Sequence, residues 1–322
     1  MRGHRTNRSL WTTLMAGSIL LTGVIVGQPV LAGKSCQPCK LTAQLAFHAD
    51  LGKVRSDYNI AIGKAINYSE RAGQREAAGE ARMEFKEGTH NARAVRGARK
   101  GLCELLKEDR YDPEYEPDDF LTPEETAADP NPYFPLVPGT VYTYESETDE
   151  GTETVVVEIT ANTVEIDGVT CMEVRDTVTL EGEFVEDTLD WYAQHEDGSV
   201  WYFGEISFNF EDGEIVDLEG SWKAGDDGAK PGVVMQGTRV VGDAYRQEWL
   251  LGEAEDAGQI LALHETVTVP AGTFTDCVKT LDINPHDPEL VEHKLFAPGV
   301  GFVFEIKPDE GETVELISIV GP

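Results

Sequence analysis

The chain has 322 residues and a formal charge of −33, with 59 acidic against 26 basic side chains. Such an excess of acid repels nucleic-acid phosphates and anionic lipid headgroups, so neither is an expected partner. Cations and basic protein surfaces are the natural counterparts, and dense surface acid also serves simply to keep a protein in solution.

The first 32 residues read as a removable export signal. Arg2, Arg5 and Arg8 form a basic start, residues 14–26 form a short apolar core, and Val30 and Ala32 occupy the −3 and −1 positions of a small-residue cleavage site. The apolar run is shorter than the ~20 residues that span a bilayer, and no later stretch approaches that length. The expected product is a periplasmic or extracellular protein beginning near Gly33. Its charge is divided unevenly. Residues 33–110 hold 15 basic and 10 acidic side chains, whereas residues 111–322 hold 8 and 49, a net of −41.

In residues 33–110, Phe47, Leu51, Val54, Tyr58, Ile62 and Ala65 recur at steps of three and four, which predicts a helix over 41–69. Val95, Ala98, Leu102 and Leu106 mark a second helix, with Arg93, Arg96, Lys100 and Lys107 on its opposite face. A break near Arg71-Ala72-Gly73 makes the pair a helical hairpin. The basic stripe reads as a solvated face, or as a surface for docking acid.

Residues 111–136, rich in proline and acid, read as an extended linker unable to bury a core. Five cysteines lie beyond the signal: Cys36, Cys39, Cys103, Cys171 and Cys277. In an oxidising compartment they are expected in disulfides. An antiparallel hairpin brings one of Cys36 and Cys39 to Cys103, and Cys171 and Cys277 could form a second bridge, which leaves one thiol over. Closing the second loop would contribute about 4–5 kcal/mol in the chain-entropy model. The pair Cys36 and Cys39 lacks a thioredoxin-like setting and is followed by Lys40, not by the histidine of a c-type haem site.

From Thr140 onward, short β-branched and aromatic runs alternate with turn signals. Runs at 140–144, 154–159, 170–179, 184–194, 200–203, 205–210, 245–250, 260–269, 274–281, 290–296, 301–306 and 313–320 predict about a dozen strands. The fold class is therefore mainly β: an antiparallel meander forming a barrel or half-barrel over residues 137–322, preceded by the α-helical hairpin. Asp197-Gly198 predicts a two-residue type I′ turn, which would set Gln194 opposite Trp201 and Tyr192 opposite Phe203. Tyr192, Gln194, Trp201 and Phe203 would then share one face, with Trp191 and Tyr202 on the other. Aromatic area on both faces requires either a second covering layer, from the helical hairpin or another sheet, or a ligand cavity.

The series Asp190-Trp-Tyr-Ala-Gln194, Trp201-Tyr-Phe-Gly-Glu205, Gly220-Ser-Trp222, Ala224-Gly225, Asp227-Gly-Ala229, Pro231-Gly232 and Tyr245-Arg-Gln-Glu248 forms a set. It continues through Val267-Thr-Val-Pro-Ala-Gly-Thr-Phe274 and Ala297-Pro-Gly-Val-Gly301. Together these resemble a family of uncharacterised exported bacterial proteins over residues 133–320. The chain departs from that pattern at Gln236-Gly237-Thr238, where the family has a proline-containing turn. The resemblance implies export and a β fold, and it brings no catalytic residues.

No nucleophile elbow, phosphate-binding loop or dinucleotide fingerprint is present in the sequence. His195-Glu196 and His264-Glu265 lack the second histidine of a zinc-protease helix, and His286 and His293 could meet a metal only through tertiary convergence. Acid–glycine turns at Asp149-Glu150-Gly151, Asp197-Gly198, Asp212-Gly213 and Asp226-Asp227-Gly228 match no EF-hand, though clustered carboxylates can hold Ca2+ weakly. The reading is an exported, non-enzymatic binding module without a cofactor. It would hold a small, partly apolar ligand against Trp191, Tyr192, Trp201, Tyr202 and Phe203. The alternative is an extracellular or envelope interaction protein whose acidic, Ca2+-responsive surface meets basic proteins.

Overall fold

The computed structural model describes residues 37–322, so the export signal and Cys36 lie outside the described residues. Two units are distinguished: a helical one ending at Tyr111, and a β unit comprising residues 112–284 and 289–322.

The helical unit is the expected hairpin. Helix α1 (Pro38–Ile66) and helix α2 (Arg71–Leu105) are separated by residues 67–70. Phe47, Ala65, Val95 and Leu102 are buried, and the other stripe positions are half-buried, as a two-helix interface without further layers allows. Tyr58 meets Phe85 at 5.0 Å between ring centroids. The basic face is less solvated than its spacing suggests. Arg96 lies 4.1 Å over the Phe47 ring, and the neighbouring Arg99 is buried against Asp50, 3.3 Å away. Cys39 and Cys103, 64 positions apart in the sequence, form a disulfide across the open end of the hairpin with Cα atoms 5.9 Å apart. No described helix is long and apolar enough to cross a membrane.

The acidic segment after Tyr111 differs from a free linker. A 3-10 turn (Pro117–Asp119) is followed by helix α3 (Pro123–Ala128), which Thr122 and Glu125 cap reciprocally. Asn131, Leu136 and Thr126 are buried. The few apolar residues of the segment are spaced to reach the sheet: Tyr115 and Phe120 pack on it, and Asn131 donates from its backbone N–H to the Gln194 side chain and from its amide to the Gly198 carbonyl oxygen.

Fifteen strands follow. They are β1 (Val141–Thr148), β2 (Gly151–Ile166), β3 (Val169–Leu180), β4 (Glu183–Gln194), β5 (Val200–Glu211), β6 (Glu214–Asp217), β7 (Trp222–Lys223) and β8 (Lys230–Met235). The remainder are β9 (Ala244–Arg246), β10 (Glu248–Trp249), β11 (Ala257–Val269), β12 (Gly272–Ile283), β13 (Glu292–Ala297), β14 (Gly301–Lys307) and β15 (Glu312–Val320). All belong to one antiparallel sheet, in the order β10-β8-β5-β4-β3-β2-β1-β15-β14-β13-β12-β11-β9, with β6 and β7 also on β5. The last strand therefore pairs with the first, Val141 opposite Val320.

The two ends of this order are one piece of chain. Ala244–Arg246 pairs with β11, and Glu248–Trp249, two residues on, pairs with β8. The segment so bridges both edges and nearly closes the sheet into a barrel, which removes open strand edges. Closure requires close backbone approach at Gly232, where an added Cβ would fall 2.3 Å from the Gln247 carbonyl carbon.

The β4–β5 hairpin corrects the expected register. Gln194 faces Val200, Ala193 faces Trp201 and Tyr192 faces Tyr202; a bulge at Phe203 then shifts the pairing to Trp191 opposite Gly204. A type I′ turn needs positive φ at both central residues, and only Gly198 has it here; at Asp212-Gly213 both do. The loop is one residue longer, and the face assignments of Tyr202 and Trp201 exchange. The expected Cys171–Cys277 bridge is also absent: both thiols are free and buried. They sit on β3 and β12, which five intervening strands keep apart in the sheet.

Candidate functional site

A cavity of about 140 Å3 lies inside the β unit. The period-two alternation of the strands supplies its wall: Tyr142 and Tyr144 from β1, Val155, Val157 and Ile159 from β2, Val174 and Asp176 from β3, and Asp190 and Tyr192 from β4. The opposite wall brings Asp282 from β12, Lys294 and Phe296 from β13, and Phe302 and Glu305 from β14. Phe134 and Pro135 of the segment before β1 complete it.

The aromatic lining forms two groups. Phe134 meets Tyr192 at 5.1 Å, and Tyr192 in turn stacks on Tyr202 at 4.7 Å with ring planes 16° apart. Across the space, Tyr144 contacts Tyr142 and Phe302, and Phe302 contacts Phe296. The Tyr144 hydroxyl donates to the Phe302 carbonyl oxygen at 3.1 Å, which fixes the ring.

The charged lining falls into two sets. Lys294 Nζ lies 2.7 Å from Asp282 Oδ2 and 3.7 Å from Glu305 Oε2, all three side chains nearly out of solvent. Burial disfavours the ammonium, but its carboxylate neighbours outweigh that and raise the Lys294 pKa. Burial raises Glu305, only partly opposed by Lys294.

On the other wall, carboxyls face one another without a cation. Asp190 accepts a hydrogen bond from the Tyr202 hydroxyl at 2.6 Å and is further held by Tyr192 and Glu205. Burial pushes both Asp190 and Glu205 up; Asp190 and Glu248 raise Glu205 further, whereas at Asp190 the hydrogen bonds with Tyr202, Tyr192 and Glu205 oppose the shift and Glu186 adds to it. Glu248 is raised in the same way by burial and by Asp256. Asp176 is 9% exposed, and its Oδ1 has no hydrogen-bond partner among the described residues. Burial, then Asp190, Glu186, Glu153 and Asp187, hold its carboxyl well above the usual range.

Of the five expected ligand contacts, Tyr192 lines this cavity. Tyr202 stands behind it and orients Asp190. Trp201 and Phe203 lie on the other side of the sheet, under Tyr115 and Phe120 at centroid distances of 5.4–5.9 Å. Trp191 pairs with Gly204 on that same side and is partly buried against the core. One face is therefore covered by a second layer, and the other borders the cavity. The covering layer is the acidic segment itself. Cys171 is buried beside it, and burial raises its thiol pKa. Cys277 is likewise raised by burial, then by Asp276 and Glu265.

The sequence reading missed Asp176, Asp190, Lys294 and Glu305. A usable signal existed for Asp176, a charged residue between Val174 and Val178 in the apolar register of β3, but not for Asp190 or Lys294, which follow Thr188 and Glu292 in their registers. Among the described residues, no group of three or more His, Cys, Asp or Glu converges in a way that could hold a metal ion. His195 and His264 sit near Asp197 and Asp276 instead, at 3.1 and 3.2 Å.

No protein-family model and no curated protein matches the chain. Among solved structures, it is similar to a "putative lipoprotein" from Parabacteroides distasonis ATCC 8503. That likeness has 14% identity and a TM-score of 0.34 over 60% of this chain and 100% of that one, too low to transfer a role.

Proposed function

We propose that the protein is an exported binding module that holds a small, partly apolar ligand inside its β unit. The observation that carries this reading is the cavity of about 140 Å3, walled by aromatic and aliphatic side chains with a few convergent polar groups. That mixture is the usual make-up of a small-molecule site, and a void of roughly 150 Å3 admits a benzene-sized molecule. Export is supported by the basic, apolar and small-residue pattern of residues 1–32 and by the Cys39–Cys103 disulfide. The resemblance of the motif set over residues 190–301 to a family of exported bacterial proteins would agree with the same placement.

Native mass spectrometry of the exported protein, before and after organic extraction, tests the reading. A discrete mass excess should be present and lost on extraction. Val174→Phe, which fills the cavity wall from β3, should abolish that excess. An excess that survives in Val174→Phe would place the ligand elsewhere and overturn the assignment.

A further inference from the structure

The cavity is short of positive charge. Four carboxyl groups line it, those of Asp176, Asp190, Asp282 and Glu305, against the single ammonium of Lys294. That ammonium is already engaged by Asp282 at 2.7 Å and Glu305 at 3.7 Å. Asp190 has the Tyr202 hydroxyl at 2.6 Å. Both Glu305 oxygens also lack a hydrogen bond among the described residues, but they have the Lys294 ammonium beside them; Asp176, nine-tenths buried, has an oxygen with neither a donor nor a cation at hand. A buried acceptor without a partner costs roughly 1–3 kcal/mol, more if charged, so an empty position opposite Asp176 is a place where a donor is missing.

Asp176 lines the cavity together with both aromatic groups, Tyr144 in one and Tyr192 in the other. Ring faces attract cations, most strongly where water is excluded. A carboxyl without a donor, between two groups of aromatic rings, is the chemistry that recognises an ammonium on an apolar body.

We propose that the cavity takes a small organic cation, an amine about the size of benzene, with its ammonium set on Asp176 and its apolar body among Tyr144, Phe302, Phe134 and Tyr192. The assignment rests on the cavity being a ligand site and adds the charge of the occupant. The titratable groups around Asp176 are Asp190 and Glu186 from β4, Glu153 from β2 and Tyr144 from β1, with Asp187 paired to Arg175 on the other face of the sheet, and Lys294, Asp282 and Glu305 lining the same cavity. Without a cation, this surrounding favours the neutral acid; an arriving ammonium favours the carboxylate. Binding therefore transfers the Asp176 proton to the buffer.

The test is calorimetry on the extracted, disulfide-intact protein at pH 7 with three probes of one shape: benzylamine, benzyl alcohol and benzoate. Benzylamine should bind at least tenfold tighter than benzyl alcohol, and Asp176→Asn should erase that preference. Heats compared in two buffers of different ionisation enthalpy should show about one proton released per benzylamine, a readout that needs no variant. Equal or tighter binding of benzyl alcohol or benzoate would overturn the cation assignment and leave the cavity reading standing. Binding of none of the three would overturn both.

Discussion

Two walls of one cavity carry buried charge and resolve it in opposite ways. On the β12–β14 wall, Lys294 is packed between Asp282 and Glu305, so charge is answered by charge. On the β3–β5 side, no cation stands beside Asp176, Asp190 or Glu205 among the described residues, and Asp190 has the Tyr202 hydroxyl instead. On the first wall both Glu305 oxygens lack a hydrogen bond but have the Lys294 ammonium 3.7 Å away; on the second, one Asp176 oxygen has neither.

Removing the cation gives the largest effect. Lys294→Met leaves Asp282 and Glu305 buried without their partner, and breaking one side of a buried ion pair costs about 3–5 kcal/mol. The urea midpoint should fall accordingly. A loss under about 1 kcal/mol would mean that the two walls are alike, both relying on protonation.

Tyr202→Phe should come next. It keeps the ring stacked on Tyr192 but withdraws the donor from Asp190, and hydrogen bonds to charged or ionisable groups contribute about 1.5–3 kcal/mol. The Asp190 carboxyl should also titrate higher than in the parent, which NMR of the labelled side chain can follow. An unchanged titration would remove Tyr202 from the account of this wall.

How much of this the sequence discloses depends on the range of the interaction. The helical hairpin and most strands are legible because their periods of three to four and of two are local. β8 escapes because Pro231-Gly232 reads as a turn, yet closure needs that glycine against Gln247. The hairpin register fails by one residue because a turn type hinges on φ at Asp197, which composition does not determine. Tyr192 is legible as a site residue because its neighbours in sequence are aromatic. Its polar partners are not, since Asp176 and Lys294 sit 118 residues apart and meet only when the sheet curls.

The two walls also differ in the pH dependence of their charged groups. Asp176, Asp190, Glu205, Glu248 and Glu153, together with Glu305 beside Lys294, have folded pKa values raised by burial above the unfolded carboxylate value of about 4. Between that value and the raised ones, the native state holds more protons than the unfolded chain, so stability falls as pH rises through the window. Lys294 acts in another range: its raised value stabilises below the ordinary lysine pKa, and that contribution is lost only in strong alkali. Carboxyls held low, such as Glu125 with the Thr122 backbone and hydroxyl donating to it, lose their contribution only as pH falls below about 4. The melting temperature should therefore decline from about pH 5 to pH 8. Asp176→Asn removes one of the groups responsible and should flatten the decline, leaving the variant as stable as the parent near pH 5 and more stable than it at pH 8. Lys294→Met should instead lower the whole curve. If Asp176→Asn leaves the slope unchanged, Asp176 is ionised in the free protein and already has its cation, and the contrast between the walls disappears.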